Sequence, residues 1–374
     1  MKYFLIAGEA SGDLHASSLM RGLLEADPQA RFCFMGGDLM KEVAGEMVIH
    51  YRETSYMLLD VLFHLGKIFR NMRLIKRRIL EWEPDVLIPV DYPGFNIRMA
   101  RFASRHRITV FYYISPKVWA WKQRRVKSLK KYVNRLFAIL PFEVEFYSGY
   151  NMKVEYFGNP LVDQVAWFRE QFEGEEHWKS RHGFGQKPLV ALLAGSRNKE
   201  IETTLPSMLT LAGEHPEYQF VVAGAPSINS SLYEQYLQGT DVRIVYNETY
   251  ALLECSEAGL VTSGTATLEA ALFELPQVVL YGTSQLAYTI AKRLIKVNFI
   301  SLVNLIHGKK LVEEVIQKDL TKRTRRELNR ILSDDAYRKE MQQGYRELKA
   351  GLGEKGVSRK VGERMVELLK VESE

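Results

Sequence analysis

Short apolar runs alternate with helix-like segments along the first half of this chain, and after a pause the alternation begins again. The first set of runs is Tyr3–Ala7, Phe32–Met35, Val86–Val90, Val110–Ile114, Leu136–Leu140 and Val154–Tyr156. The second is Leu189–Leu193, Gln219–Ala223, Val242–Val245, Ala258–Thr262 and Gln277–Tyr281. Strand, helix, strand at this spacing predicts a parallel sheet covered by helices on both faces. Two such sheets predict an α/β chain of two Rossmann-like domains, their sheets facing a central cleft. The break is placed in the polar stretch Phe168–Lys187. One domain is therefore expected over 1–165 and the other over 185–335, with a C-terminal helix over 340–374 completing the first. The 374 residues fit two domains at ~150 residues each.

Composition excludes several classes. Hydrophobic residues make up 46% and charged residues 26%, as in ordinary globular chains. No run reaches the ~18 apolar residues of a membrane span, and Tyr3–Ala7 is too short for a signal sequence. Cys33 and Cys255 fall in different domains and read as buried free thiols, which fits a reducing cytoplasm. The net charge of +6 is unevenly placed. Lys67, Arg70, Arg73, Lys76, Arg77 and Arg78 form one cluster without acids, and Lys122, Arg124, Arg125, Lys127, Lys130, Lys131 and Arg135 form another. Such blocks point to an anionic partner. Nucleic acid is a poor candidate, because no RRM, KH or helix-turn-helix signature is present. Histidines are scattered and there is no Asp-x-Asp, so neither a metal site nor a cofactor is expected.

In an open parallel sheet, ligands gather beyond the carboxyl ends of the strands. The first strand runs into Gly8-Glu9-Ala10-Ser11-Gly12-Asp13, small residues that let a backbone turn tightly against a ligand or simply against the next helix. Ser11 or Asp13 can cap that helix. Asp91 ends a buried strand, where desolvation would raise its pKa toward the range of a general base. The alternative is a turn aspartate before Pro93. Trp119 and Trp121 can stack on a sugar, cover an acyl chain, or lie in the core. In the second half, Ala194-Gly195-Ser196-Arg197 precedes a helix, joining amides, a hydroxyl and a guanidinium where a diphosphate would bind. A later strand ends in Ser263-Gly264-Thr265-Ala266-Thr267-Leu268-Glu269. Its small residues open a second helix terminus, and Glu269 can accept from ribose hydroxyls or complement the helix dipole. An arginine loop paired with a glutamate loop favours a nucleotide diphosphate. The segment Met57–Ile79 sets Leu62, Phe63, Leu65, Ile68 and Phe69 beside basic residues, as either a helix at a lipid surface or a core helix with a solvated basic face.

In order and at these spacings, Gly8–Asp13, Asp91–Asn96, Ser115–Trp121, Ile139–Glu143, Gly195–Arg197, Ser263–Glu269 and Ser301–Asn304 resemble the lipid-A-disaccharide synthase family of bacterial outer-membrane biogenesis. The resemblance runs over nearly the whole chain. It implies a GT-B fold and transfer of 2,3-diacylglucosamine from its UDP ester to 2,3-diacylglucosamine 1-phosphate, giving a β-1,6-linked disaccharide 1-phosphate and UDP. It implies Asp91 as the base of a one-step inverting displacement. It also implies a UDP site at Gly195, Ser196, Arg197, Ser263, Gly264, Thr265, Ala266, Thr267, Glu269 and Asn304. The acceptor and sugar cleft would take Gly8, Glu9, Ser11, Gly12, Asp13, Asn96, Ser115, Trp119 and Trp121. The expected setting is the cytoplasmic face of the inner membrane, held peripherally, with a homodimer compatible. The chain departs from the family pattern at Asn159, Ala194, Tyr92-Pro93-Gly94 and Val303. A peptidoglycan-precursor transferase or a UDP-sugar 2-epimerase would share the donor-loop logic, but not the Gly8–Asp13 and Trp119–Trp121 motifs. A regulator built on an inactive transferase fold would lack the base, whereas Asp91 is present.

Overall fold

The computed structural model describes residues 1–53, 65–120, 122–282, 298–316 and 319–373. The chain divides into two compact units, Met1–Gln164 with Leu352–Glu374, and Val165–Gly351. In the first unit, seven parallel strands lie in the order β3-β2-β1-β4-β5-β6-β7: β1 Lys2–Ala7, β2 Arg31–Gly36, β3 Glu46–His50, β4 Val86–Val90, β5 Thr109–Tyr113, β6 Arg135–Ala138 and β7 Glu155–Tyr156. In the second, six parallel strands run β10-β9-β8-β11-β12-β13: β8 Leu189–Leu193, β9 Gln219–Gly224, β10 Arg243–Tyr246, β11 Ser256–Thr262, β12 Gln277–Tyr281 and β13 Glu314–Ile316.

The apolar runs became the central strands because burial on both sheet faces requires continuous hydrophobicity. All five residues of both β4 and β8 are buried. Two strands had escaped the sequence reading. β3 carries Glu46 and His50 at its ends, and β13 has only three residues, so neither shows an apolar run. The stretch 168–187, read as a linker, is mostly helical, with helices over Leu161–Gln171 and Glu175–Arg181. Trp178 is fully buried there.

The chain returns to the first unit at Leu352, whose carbonyl accepts from the Asn159 N–H at 2.8 Å. The preceding helix, Asp335–Gly351, stays in the second unit because Met341, Tyr345 and Leu348 are buried. Residues 340–351 therefore lie in the second unit rather than completing the first. The last helix, Val357–Ser373, is capped by Asp163, whose carboxylate accepts from the N–H groups of Gly356, Val357 and Ser358 at 2.6, 3.1 and 2.6 Å. Its Val361, Met365, Leu368 and Leu369 join one core with Ala16, Leu19, Met20 and Leu23 of α1, Ala10–Ala26. Asn159 occupies a tight junction. Its amide donates to the Ile139 carbonyl at 3.1 Å and accepts from the Leu161 N–H at 3.0 Å, so this departure from the family pattern is a satisfied structural residue.

The helix Leu65–Trp82 has one face in the core and another at the surface. Met72, Ile75, Ile79 and Trp82 pack into the core on one face of the first sheet. Phe69 is 55% exposed, with Arg70, Arg73 and Arg77 also exposed. Leu62 and Phe63 lie outside the described residues. No described helix is long and apolar enough to cross a membrane. Cys33 and Cys255 are buried and free.

Candidate active site

In each sheet the strand order reverses once, between β1 and β4 in the first unit and between β8 and β11 in the second. Beyond the carboxyl ends of such a strand pair the flanking loops diverge and leave a crevice. β1 and β4 lead into Gly8–Asp13 and Asp91, and β8 and β11 lead into Gly195–Arg197 and Ser263–Glu269. The motifs read from the sequence therefore occupy the two switch points.

Asp91 follows directly on β4. It and Tyr92 adopt left-handed backbone conformations, with φ of 43° and 45°. Two such residues in succession are costly for non-glycines and persist only where the surroundings fix them. Those surroundings are present. The Asp91 N–H donates to the Tyr113 carbonyl at 3.1 Å, and the Asp91 carbonyl accepts from the Tyr112 hydroxyl at 2.5 Å and the Asn96 amide at 2.9 Å. The same Asn96 amide also reaches the Ile6 and Val90 carbonyls at 3.2 and 3.1 Å. This frame leaves the Asp91 side chain half-buried at the strand end. Burial raises its pKa to about 6, the exposed Lys117 opposes the rise and Glu9 adds to it. A carboxylate at that value can hold or release a proton near neutral pH.

Several polar residues expected to face a ligand instead hold this frame together. Asn96 is fully buried and spends its amide on backbone carbonyls. The Asp13 carboxylate accepts from the N–H groups of Gly37, Leu39 and Met40 at 2.7, 3.1 and 3.2 Å, capping the helix Asp38–Val43. Ser115 is buried, 2.7 Å from the Tyr147 hydroxyl. Trp119 is buried and donates its indole N–H to Glu143 at 3.1 Å, so its ring is no open stacking surface. Glu143, which ends the Ile139–Glu143 motif, also accepts from the Ile139 and Leu140 N–H groups at 3.3 and 3.1 Å. Burial pushes its pKa to about 7. Gly8 lies against the Tyr92 ring and Gly12 against Ala7, close approaches that only glycine permits at Gly8. Glu9 is exposed and Ser11 partly so. Trp121 lies outside the described residues.

In the second unit, Gly195 has φ of 117°, and Arg197 stands at the N-cap position of the helix Asn198–Glu214, its side chain making no capping bond. Thr204 of that helix donates its hydroxyl to the Ala194 carbonyl at 2.9 Å, tying strand end to helix. Ser196 and Arg197 are exposed. Glu200, which the motif reading did not single out, accepts from the Ser196 N–H and from the Arg197 guanidinium, each at 3.0 Å. Thr265–Leu272 forms the facing helix, and the N–H groups of its first turn, including those of Thr265 and Ala266, have no partner within the helix. Ser263 donates its hydroxyl to the Ile300 carbonyl at 3.3 Å. Thr267 is fully buried and donates to the Gly264 carbonyl at 2.9 Å, a framework role rather than a contact for ligand. Glu269 accepts from the Tyr250 hydroxyl at 2.9 Å through one oxygen, and burial raises its pKa.

Asn304, expected at the nucleotide, is fully buried and its amide is fully used. It donates to the Val312 carbonyl and Glu314 at 3.0 and 2.9 Å, and accepts from the Leu311 and Val312 N–H groups at 2.7 and 3.0 Å. Glu314 further accepts from the Ile300 N–H and from the Ser301 N–H and hydroxyl, each at 2.9 Å. Glu314 thus holds Ile300 and Ser301, and Asn304 anchors the helix Leu302–His307 that follows them. No group of three or more His, Cys, Asp or Glu suited to a metal ion occurs among the described residues.

Residues 3–364 match the sequence profile of the family Lipid-A-disaccharide synthetase. The chain is 37% identical to the lipid-A-disaccharide synthase of Geobacter sulfurreducens, over 98% of this chain and 97% of the relative. Among solved structures it is similar to the UDP-GlcNAc 2-epimerase of Methanocaldococcus jannaschii in complex with UDP-GlcNAc and UDP, with a TM-score of 0.67 at 15% identity, covering 99% of this chain and all of that one (100%). It is also similar to the calicheamicin glycosyltransferase CalG4, with a TM-score of 0.58 at 15% identity over 98% of both chains. These two likenesses place the fold among GT-B proteins and say nothing about the reaction. The family match and the relative's identity do, and they separate the chain from the epimerases it resembles in shape: it belongs to the lipid-A-disaccharide synthase family of UDP-sugar-dependent glycosyltransferases.

Proposed function

We propose that this chain transfers 2,3-diacylglucosamine from its UDP ester to the 6-hydroxyl of 2,3-diacylglucosamine 1-phosphate, with inversion, releasing UDP. Asp91 carries the reading, as a strand-end carboxyl lifted to about 6 by burial. It takes the proton from the attacking hydroxyl, and the new C–O bond forms opposite the departing diphosphate. One base suffices for a single displacement, and no covalent intermediate forms. The UDP group would be held by the second unit. Arg197 and the first-turn amides of Thr265 and Ala266 would take the diphosphate charge, and Glu269 would take the ribose. That the M. jannaschii neighbour is in complex with UDP-GlcNAc and UDP is in keeping with a UDP-sugar donor. Incubation with both acylated substrates should yield the β-1,6 disaccharide 1-phosphate and one UDP per disaccharide. Failure to form disaccharide, or an α linkage, would refute it.

The substrates carry acyl chains, so the enzyme would work at the cytoplasmic surface of the inner membrane. Exposed Phe69 beside Arg70, Arg73 and Arg77 is the surface that supports this. Each basic residue near an anionic membrane contributes ~1 kcal/mol, so reversing these three arginines to glutamate should weaken binding to phosphatidylglycerol-containing vesicles by roughly a hundredfold or more. Unchanged sedimentation with vesicles would remove this face from the proposal.

A further inference from the structure

Arg197 is the one guanidinium in the Gly195–Arg197 motif, yet it is bonded to a carboxylate of its own helix. Glu200 stands on the first turn and faces back over the loop. One oxygen accepts from the Ser196 N–H and the other from Arg197, each at 3.0 Å. The loop is shaped around this side chain. A Cβ on Gly195 would lie 2.6 Å from the Glu200 Cβ and 2.7 Å from its carboxylate oxygen, so Gly195 both needs φ of 117° and leaves the space Glu200 fills. A backbone N–H and a guanidinium converging on one carboxylate form the donor set a phosphate oxygen would meet.

We propose that Glu200 is an internal counter-anion of the donor loop. It holds Ser196 and Arg197 in place when no donor is bound, and yields Arg197 to the diphosphate when one arrives. This rests on the reading that the 195–197 loop receives UDP. Arg197 is half exposed, so its guanidinium can pass from one anion to the other at the surface, whereas the Ser196 N–H remains with Glu200. Two consequences follow from charge alone. The fixed carboxylate repels the incoming diphosphate, and it competes for the guanidinium, so it weakens binding of both donor and product. It also gives Arg197 a partner to return to, which speeds UDP release.

Glu200→Gln keeps the shape and keeps an oxygen for the Ser196 N–H but removes the charge. UDP should bind that variant about tenfold tighter by calorimetry at low salt, with the gap to wild type narrowing as ionic strength rises, because partly exposed charges are screened. Product inhibition by UDP should strengthen in parallel. Glu200→Ala, which also frees the Ser196 N–H, should bind UDP less tightly than Glu200→Gln. Unchanged or weaker UDP binding by a folded Glu200→Gln protein would overturn the inference. Arg197→Ala separates the two levels. If it leaves the UDP Kd unchanged, the loop is not the diphosphate site and the underlying reading falls with the inference. If it weakens binding while Glu200→Gln does not tighten it, only the counter-anion role is lost.

Discussion

Replacing Asp91 by asparagine is expected to lower turnover by roughly 10²–10⁴, the usual worth of a positioned base, with UDP affinity close to wild type. Asparagine has nearly the same shape, and the strained turn that carries it is held mainly by backbone and neighbouring groups; the Tyr92 N–H that the Asp91 carboxylate accepts can be met by the asparagine oxygen as well. The Asp91 N–H and carbonyl are engaged by Tyr113, Tyr112 and Asn96. The loss should therefore fall on kcat rather than on the fold. A pH profile makes the same claim independently. The base must be ionised, and burial lifts its pKa to about 6, so kcat/KM should fall as pH drops below that value and level off above it. Lys117 favours the ionised form and Glu9 disfavours it. Lys117→Met should accordingly move the acid limb to higher pH and Glu9→Gln to lower pH. The Asp91→Asn variant should lose this limb. Turnover within a few-fold of wild type in Asp91→Asn, or an acid limb indifferent to both neighbours, would rule Asp91 out as the base.

The sequence carries the two sheets and their switch points openly, because a doubly covered parallel strand must be apolar throughout and the loops that follow need small residues. It is silent on which polar residue at a strand end faces outward. Asp13, Asn96, Ser115 and Asn304 have the composition of ligand contacts, and each is committed to groups of the protein itself. A buried strand-to-helix turn leaves backbone N–H and carbonyl groups that need partners, and a short polar side chain serves them as well as it would serve a sugar. The converse holds for Glu200 and Glu314, which belong to no motif read from the sequence, and for Glu143, which ends the Ile139–Glu143 motif without a role given to it; each organises the backbone of a loop. Glu143 and Glu200 share a legible signal. Each stands at the third position of a helix, following Pro141 at the start in one case and Arg197 at the N-cap position in the other, where a glutamate reaches back toward preceding N–H groups. Glu314 lies ten residues beyond Asn304, and only the fold closes that distance.

Gly22→Ala should cost about 3 kcal/mol, at the upper end of what overpacking usually costs, and lower the melting temperature of the first unit by roughly 6–12 °C. Gly22 of α1 meets the C-terminal helix Val357–Ser373 at a backbone-to-backbone crossing. A Cβ on Gly22 would intrude on the Ser358 carbonyl and lie 2.9 Å from the Arg359 nitrogen, and a Cβ on Gly362 would lie 2.5 Å from the Gly22 oxygen. No side chain can rotate aside to relieve such contacts, so the helices themselves must separate. Separation opens the shared core of Leu19, Met20 and Leu23 against Val361, Met365 and Leu369. The offending atom is Cβ, so most of the loss should already appear with alanine, and valine should add less than alanine did. Gly213→Ala is the matched control. It lies in the helix Asn198–Glu214 of the second unit with no atom near its would-be Cβ, and should gain ~0.5–1 kcal/mol from helix propensity. Because Gly22 and Gly362 lie in the first unit and the loops proposed to hold UDP in the second, UDP binding by Gly22→Ala should remain normal below its melting temperature. A melting temperature within about 2 °C of wild type would show that the two helices have room to spare, contrary to the packing described here.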